Sequence, residues 1–138
     1  MDAKVIRLPL LLCLSGLFIY AGILKALDPG AFSVEIDRYH LLPWEASVLL
    51  ALYLPWMEIT CGAALLFGKI RKAGLWLMVG MLLVFLVALA SAWARGLDIH
   101  CGCFGSADAG STIRGAMVRD IGILTATLWL FLSERKPV

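Results

Sequence analysis

Four apolar runs, Val5–Leu27, Ala46–Gly68, Ala73–Ala94 and Ala116–Ser133, leave this chain of 138 residues little choice of fold. Each is close to the roughly 20 residues that cross a bilayer core of about 30 Å. Lipid offers no hydrogen bonds to the backbone, so runs of this kind must be helical. The alternation of apolar and polar residues that marks a strand is absent. Composition agrees: 62% of the residues are hydrophobic and 16% charged, against about 45–50% and about 25% in an average soluble domain. A soluble fold of this size cannot bury so much apolar surface, and lipid must solvate part of it. The expected fold is all-α, one transmembrane domain over residues 1–138, built as a four-helix bundle. The first run is too long for the core of a secretory signal and leads into Lys25 and Asp28-Pro29-Gly30, so it reads as a retained helix.

The connections set the expected topology. Asp28-Pro29-Gly30 stops the first helix, and Phe32, Ile36 and Tyr39 then recur at helical spacing, which predicts a short helix lying in the interface. Lys69-Ile70-Arg71-Lys72 is a tight basic turn, and three cations in four residues resist translocation. Lys4, Arg7, Arg135 and Lys136 fall on the same side. Both termini are therefore expected in the cytoplasm of a bacterial cell, with the protein in the inner membrane and the loops around Asp28–Pro43 and Gly96–Gly115 facing outward. The net charge is +2, and no basic run is long enough to follow a phosphate backbone, which argues against nucleic acid as a partner.

The outward loop holds the strongest chemical signal, Leu97-Asp98-Ile99-His100-Cys101-Gly102-Cys103-Phe104-Gly105. Cα atoms two residues apart lie about 5.5–7 Å from each other, overlapping the disulfide range of about 4.4–6.8 Å. Gly102 permits the torsions of so small a ring. A strained, exposed disulfide tends to exchange, and an extracytoplasmic loop is oxidising. His100 adjoins Cys101 and favours it as the thiolate. Three readings are open at this segment. It is a redox-active pair, a soft-metal site of His100, Cys101 and Cys103, or a merely structural bridge or idle thiols.

Glu58 lies near the middle of the second apolar run, about 15 Å from the basic turn by helical rise. An ionisable group at that depth is a functional candidate by default. It reads either as a proton relay beneath the cysteine loop or as half of an ion pair that locks the bundle. Cys61 lies three residues on, along nearly the same face, and Pro55 three residues before. Arg119 and Asp120 open the fourth run. As neighbours they are expected to point apart, with Arg119 within reach of Glu58 and Asp120 within reach of Lys25. Lys25 can instead snorkel to the surface. Cys13 is expected to pack as a small hydrophobe, as is Cys61. His40 is placed either at the interface or toward the cysteine loop. The tryptophans gather mostly near helix ends, and Trp56 lies deeper, at a depth suited to lining a cavity.

The run Gly96–Gly105 resembles the signature of the MauE branch of DoxX-like membrane proteins. Tyr20-Ala21-Gly22-Ile23-Leu24-Lys25, Asp28-Pro29, Tyr39-His40-Leu41-Leu42-Pro43, Leu54-Pro55-Trp56-Met57-Glu58 and Val118-Arg119-Asp120 match in order along nearly the whole chain. Of these, the Cys-Gly-Cys-Phe segment is specific to the redox branch. The resemblance implies a four-helix membrane protein of extracytoplasmic thiol–disulfide chemistry. It implies a thioredoxin-like partner, as in maturation of a disulfide-rich methylamine dehydrogenase subunit. A looser likeness is to vitamin K epoxide reductase, a small bundle with cysteines near a quinone. That makes quinone a candidate electron acceptor, although the Cys-x-x-Cys of that enzyme is absent here. Against a redox enzyme stands a second class, a scaffold or soft-metal carrier. Cys13, Cys61, Met57 and Met78 offer a carrier only a broken path, with no Cys or Met at the Lys69–Lys72 exit.

Overall fold

The computed structural model describes residues 3–96 and 113–135. Among them every regular element is a helix: α1 (Ala3–Leu27), α2 (Pro29–Asp37), α3 (Trp44–Leu66), α4 (Arg71–Ala94) and α5 (Ile113–Arg135). Apart from α2, each is long and apolar enough to cross a membrane. The long helices begin two or three residues before the apolar runs do. Polar end residues such as Glu45, Arg71 and Arg114 are taken into the helices, where their backbones join the helical hydrogen bonding.

The short helix is fixed by its first residues. Asp28 accepts a hydrogen bond from the Ala31 amide at 3.1 Å, and Pro29, which has no N–H to leave unsatisfied, opens the helix. Phe32 is buried, and Ile36 and Tyr39 are half-buried, so the stripe turns inward as its spacing predicts. Tyr39 lies beyond the last helical residue, and His40 follows at φ 51°, a left-handed conformation that helps reverse the chain toward α3.

The closest packing joins α1 to α3. A Cβ on Gly22 would lie 2.7 Å from the Pro55 carbonyl oxygen, and one on Gly62 would lie 2.8 Å from the Ser15 carbonyl. Each helix thus offers the other a glycine, and the axes approach until backbone meets backbone. Ser15 donates a hydrogen bond to the Gly62 carbonyl at 2.6 Å across this contact. From there the bundle proceeds α3 to α4 and α4 to α5, and a thinner α5–α1 contact completes the circuit.

Along its length the interior is layered. Near the 67–70 turn, Leu11, Leu14 and Phe18 pack with Leu65, Leu75, Met78, Leu82 and Leu130. At the opposite end a smaller cluster joins Leu89 and Ala92 of α4 to Ile113 and Ala116 of α5. The turn end is tied by charge: Arg7 and Arg71 both pair with Glu134, and Arg71 Nε caps α3 by donating to the Leu65 carbonyl at 2.9 Å. Large apolar side chains cover the outside, Val84, Val87, Val118 and Leu132 among them. A contiguous apolar surface on that scale belongs in lipid.

Trp56 is exposed on that outer surface, although its depth suggested a cavity position. Pro55 takes the face toward α1, so the next residue must point away. Cys13 also faces outward, whereas Cys61 is buried. An apolar run does not say which of its faces meets lipid, so the two cysteines part company only when the helices are placed.

Candidate functional site

Between the two apolar clusters lies a layer of buried charge. Lys25 is in the last turn of α1, three residues beyond the close contact at Gly22. Glu58 is four residues before Gly62 on α3. The glycines therefore bring the two side chains together. Lys25 Nζ donates to Glu58 Oε1 at 2.7 Å, and the side chains are 0% and 5% exposed. The ammonium also lies 5.2 Å from the ring centre of Phe32 and 5.3 Å from that of Phe85. Two π faces and one carboxylate thus surround a cation buried away from the surface.

This arrangement corrects three expectations. The carboxylate that Lys25 takes is Glu58, not Asp120, and the cation on Glu58 is Lys25, not Arg119. Lys25 does not snorkel: α2 folds back over the end of α1, and Phe32 closes its way out. Arg119 and Asp120, expected to diverge, approach each other at 3.5 Å from Nε to Oδ1. The guanidinium is long enough to curl back along the helix surface to its neighbour. Asp120 is also deeper than the end of an apolar run suggested. Helix α5 begins at Ile113, so Asp120 is about 10 Å into it by helical rise, and it is 3% exposed.

Glu58 and Asp120 line one pocket of about 30 Å³, together with Phe18, Ala21, Met81 and Phe85. Glu58 Oε2 is buried and has no hydrogen-bond partner among the described residues. Cys61, one turn along α3, is buried against α4, whose Gly74 would place a Cβ 3.3 Å from the Cys61 carbonyl. The nearness of Cys61 to Glu58 follows from their spacing on one helix. The aromatic partners of Lys25 carried an uneven signal. Phe32 belongs to the stripe on α2, whereas nothing sets Phe85 apart from its neighbours in the third apolar run.

A second cavity, a groove of about 480 Å³, opens between α2, α3 and α4. Its walls include Tyr39, Leu42, Leu54, Met57, Trp76 and Phe85, and its lining is almost wholly apolar.

His100, Cys101 and Cys103 lie outside the described residues, but both attachments of their segment are defined. The end of α4 and the start of α5 are held together by Leu89, Ala92, Ile113 and Ala116, with Tyr39 packed against them. Arg95 donates to the Tyr39 carbonyl, and Arg114 lies 5.9 Å from the ring centre of Trp93. The Arg95 contact was not legible beforehand, because its partner is a backbone oxygen 56 positions away.

Long apolar helices around a sealed ion pair, with an apolar outer surface, define a small multi-pass membrane protein. The family profile described as Methylamine utilisation protein MauE matches residues 3–133, and the chain belongs to that family. A relative from Methylophilus methylotrophus, Methylamine utilization protein MauE, is 32% identical over 84 residues, which make up 60% of this chain and 44% of the relative. The chain therefore spans less than half the length of the curated relative it matches. No solved structure matches it.

Proposed function

We propose that the chain is a membrane thiol–disulfide redox protein whose working pair is Cys101 and Cys103. The observation that carries this reading is the Cys-Gly-Cys sequence itself, on a segment between two spans whose ends are clamped together. A disulfide ring with so few atoms would carry strain, which favours exchange over structural permanence. In this reading the bundle lies in a bacterial inner membrane, with both termini in the cytoplasm and the cysteines outside, where oxidation prevails.

The partner is a thioredoxin-like protein on the outer side. Its thiolate attacks one sulfur of the Cys101–Cys103 disulfide, forming a mixed disulfide and releasing the other sulfur as thiolate. The partner's second thiolate then breaks the mixed bond, leaving the partner oxidised and two thiols on this chain. His100 adjoins Cys101 and favours it as the exchanging sulfur. The name of the relative points to methylamine utilisation as the setting in which such exchange would mature an exported protein. A quinone acceptor would find in the α3–α4 groove a volume and lining suited to its prenyl chain.

The test is mass-tag labelling of free thiols in native membranes before and after mild reduction, with Cys13 and Cys61 replaced by alanine. Exchange predicts that Cys101 and Cys103 are linked and are released by mild reduction. It also predicts that changing one of them to serine traps a mixed disulfide with a soluble thiol protein. Thiols that stay reduced and resist linkage in every redox buffer would sink this reading. Tight zinc or copper binding to the same pair would then favour the soft-metal alternative.

A further inference from the structure

The end of the bundle at the 67–70 turn carries positive charge that its own carboxylates do not cancel. The segments that form it, 1–7, 69–72 and 134–136, hold seven Lys or Arg side chains and two carboxylates, Asp2 and Glu134, although the whole chain is only +2. Three of these cations are gathered rather than scattered. Arg7 of α1 and Arg71 of α4 meet at the end of α5, where both pair with Glu134. Lys4 stands about one turn before Arg7 on the same side of α1. One carboxylate thus answers three cations, and two positive charges are left over. Even with Asp2 assigned to its neighbour Lys4, one remains.

The same three cations line a pocket of about 160 Å³, together with Leu8 and Leu11. Its mouth is charged and its floor apolar, since Leu11 is buried and belongs to the core cluster near the turn. On the outer surface Val5, Leu8 and Leu12 are exposed at helical spacing, so the pocket lies where lipid-facing surface meets the charged end. The arginines keep donors for a ligand. Arg7 uses Nη2 on Glu134, and Arg71 uses Nη1 on Glu134 and Nε on the Leu65 carbonyl. A guanidinium has more N–H donors than these contacts occupy. The contacts fix each group in place, and both remain partly exposed. A ligand that fits has an anionic head and an apolar body in one molecule. We propose that this pocket binds an anionic phospholipid, its phosphate on Arg7, Arg71 and Lys4 and an acyl chain along Leu8 and Leu12. Glu134 positions the arginines. The bound lipid bridges α1 to α4 at an end where the α1–α5 contact is thin. The site depends neither on the chemistry of the cysteines nor on which side of the membrane the turn faces.

The full chain in detergent micelles, titrated with phosphatidylglycerol or with phosphatidylcholine of the same acyl chains, gives both affinities by native mass spectrometry. Phosphatidylglycerol should bind at least about fivefold tighter, which even one surplus cation supplies at about 1 kcal/mol. Lys4→Gln and Arg7→Gln should each lower its affinity about fivefold and leave phosphatidylcholine unchanged. Lys4 is exposed, so its variant keeps the fold. Lys72→Gln, at the same end but off the pocket wall, should change neither affinity by more than about twofold. Excess inorganic phosphate should fail to displace the lipid, because it has no apolar body to lie along Leu8 and Leu12. Equal binding of the two lipids by the folded wild type would overturn the proposal. A loss in Lys72→Gln as large as that in Lys4→Gln would mean diffuse attraction to a basic surface and overturn it as well. Displacement by inorganic phosphate would assign the pocket to a soluble anion, with the same consequence.

Discussion

Removing one member of the Lys25–Glu58 pair should cost far more stability than removing both. The side chains are 0% and 5% exposed and 2.7 Å apart, so a single replacement strands a charge in the bundle. Breaking a buried pair in this way costs about 3–5 kcal/mol. At about 1.4 kcal/mol per factor of ten, the folded-to-unfolded ratio falls by two to three and a half orders of magnitude. Lys25→Met should lie at the upper end of that range, because it leaves Glu58 buried without its cation. Glu58→Leu should lie lower, because Phe32, Phe85 and Asp120 still surround the ammonium. The double variant replaces the pair with apolar groups of similar size and should come within about 1 kcal/mol of wild type. Reversible unfolding in bicelles, followed by helicity and tryptophan fluorescence, measures all four corners of the cycle. These figures imply a coupling energy of at least about 5 kcal/mol, above the range of about 0.5–3 kcal/mol seen for most contacting residues. Coupling below about 1 kcal/mol, or a Lys25→Met protein as stable as wild type, would refute a stabilising buried pair.

The glycine contacts predict a second contrast. Gly22→Ala and Gly62→Ala each place a Cβ within 2.8 Å of a facing carbonyl, and overpacking of this kind costs about 1–3 kcal/mol. Gly16→Ala on the same helix meets nothing within 4 Å and should be neutral or gain up to about 1 kcal/mol from helix propensity. The same unfolding assay separates them, and equal effects at Gly16 and Gly22 would count against the close α1–α3 approach. For topology, a cysteine at Lys69→Cys should resist an impermeant thiol reagent added to intact cells, in a background lacking the native cysteines. Ready labelling there would place the basic turn outside.

The helices were legible because each apolar run is longer than any soluble core would need, and lipid leaves the backbone no alternative. The short helix α2 was legible from Asp28-Pro29 and its stripe. Glu58 stood out for the same reason that the helices did, since a carboxylate inside an apolar run demands a partner. The identity of that partner was not legible. Lys25, Arg119 and the positions around them are all compatible with pairing when judged by depth alone, and depth is all that a linear sequence reports. The choice of Lys25 follows from Gly22 and Gly62, which draw α1 and α3 together at one register. The burial of Lys25 follows from Phe32, which α2 folds over it. Likewise the outward turn of Cys13 and Trp56 depends on which face of each helix its neighbours cover. The sequence by itself determined the number, length and apolar character of the spans and the presence of charge inside them. Only the tertiary structure decided which charges meet and that they share a water-sized pocket, because helix rotation and register are set by side-chain contacts between segments far apart in the chain.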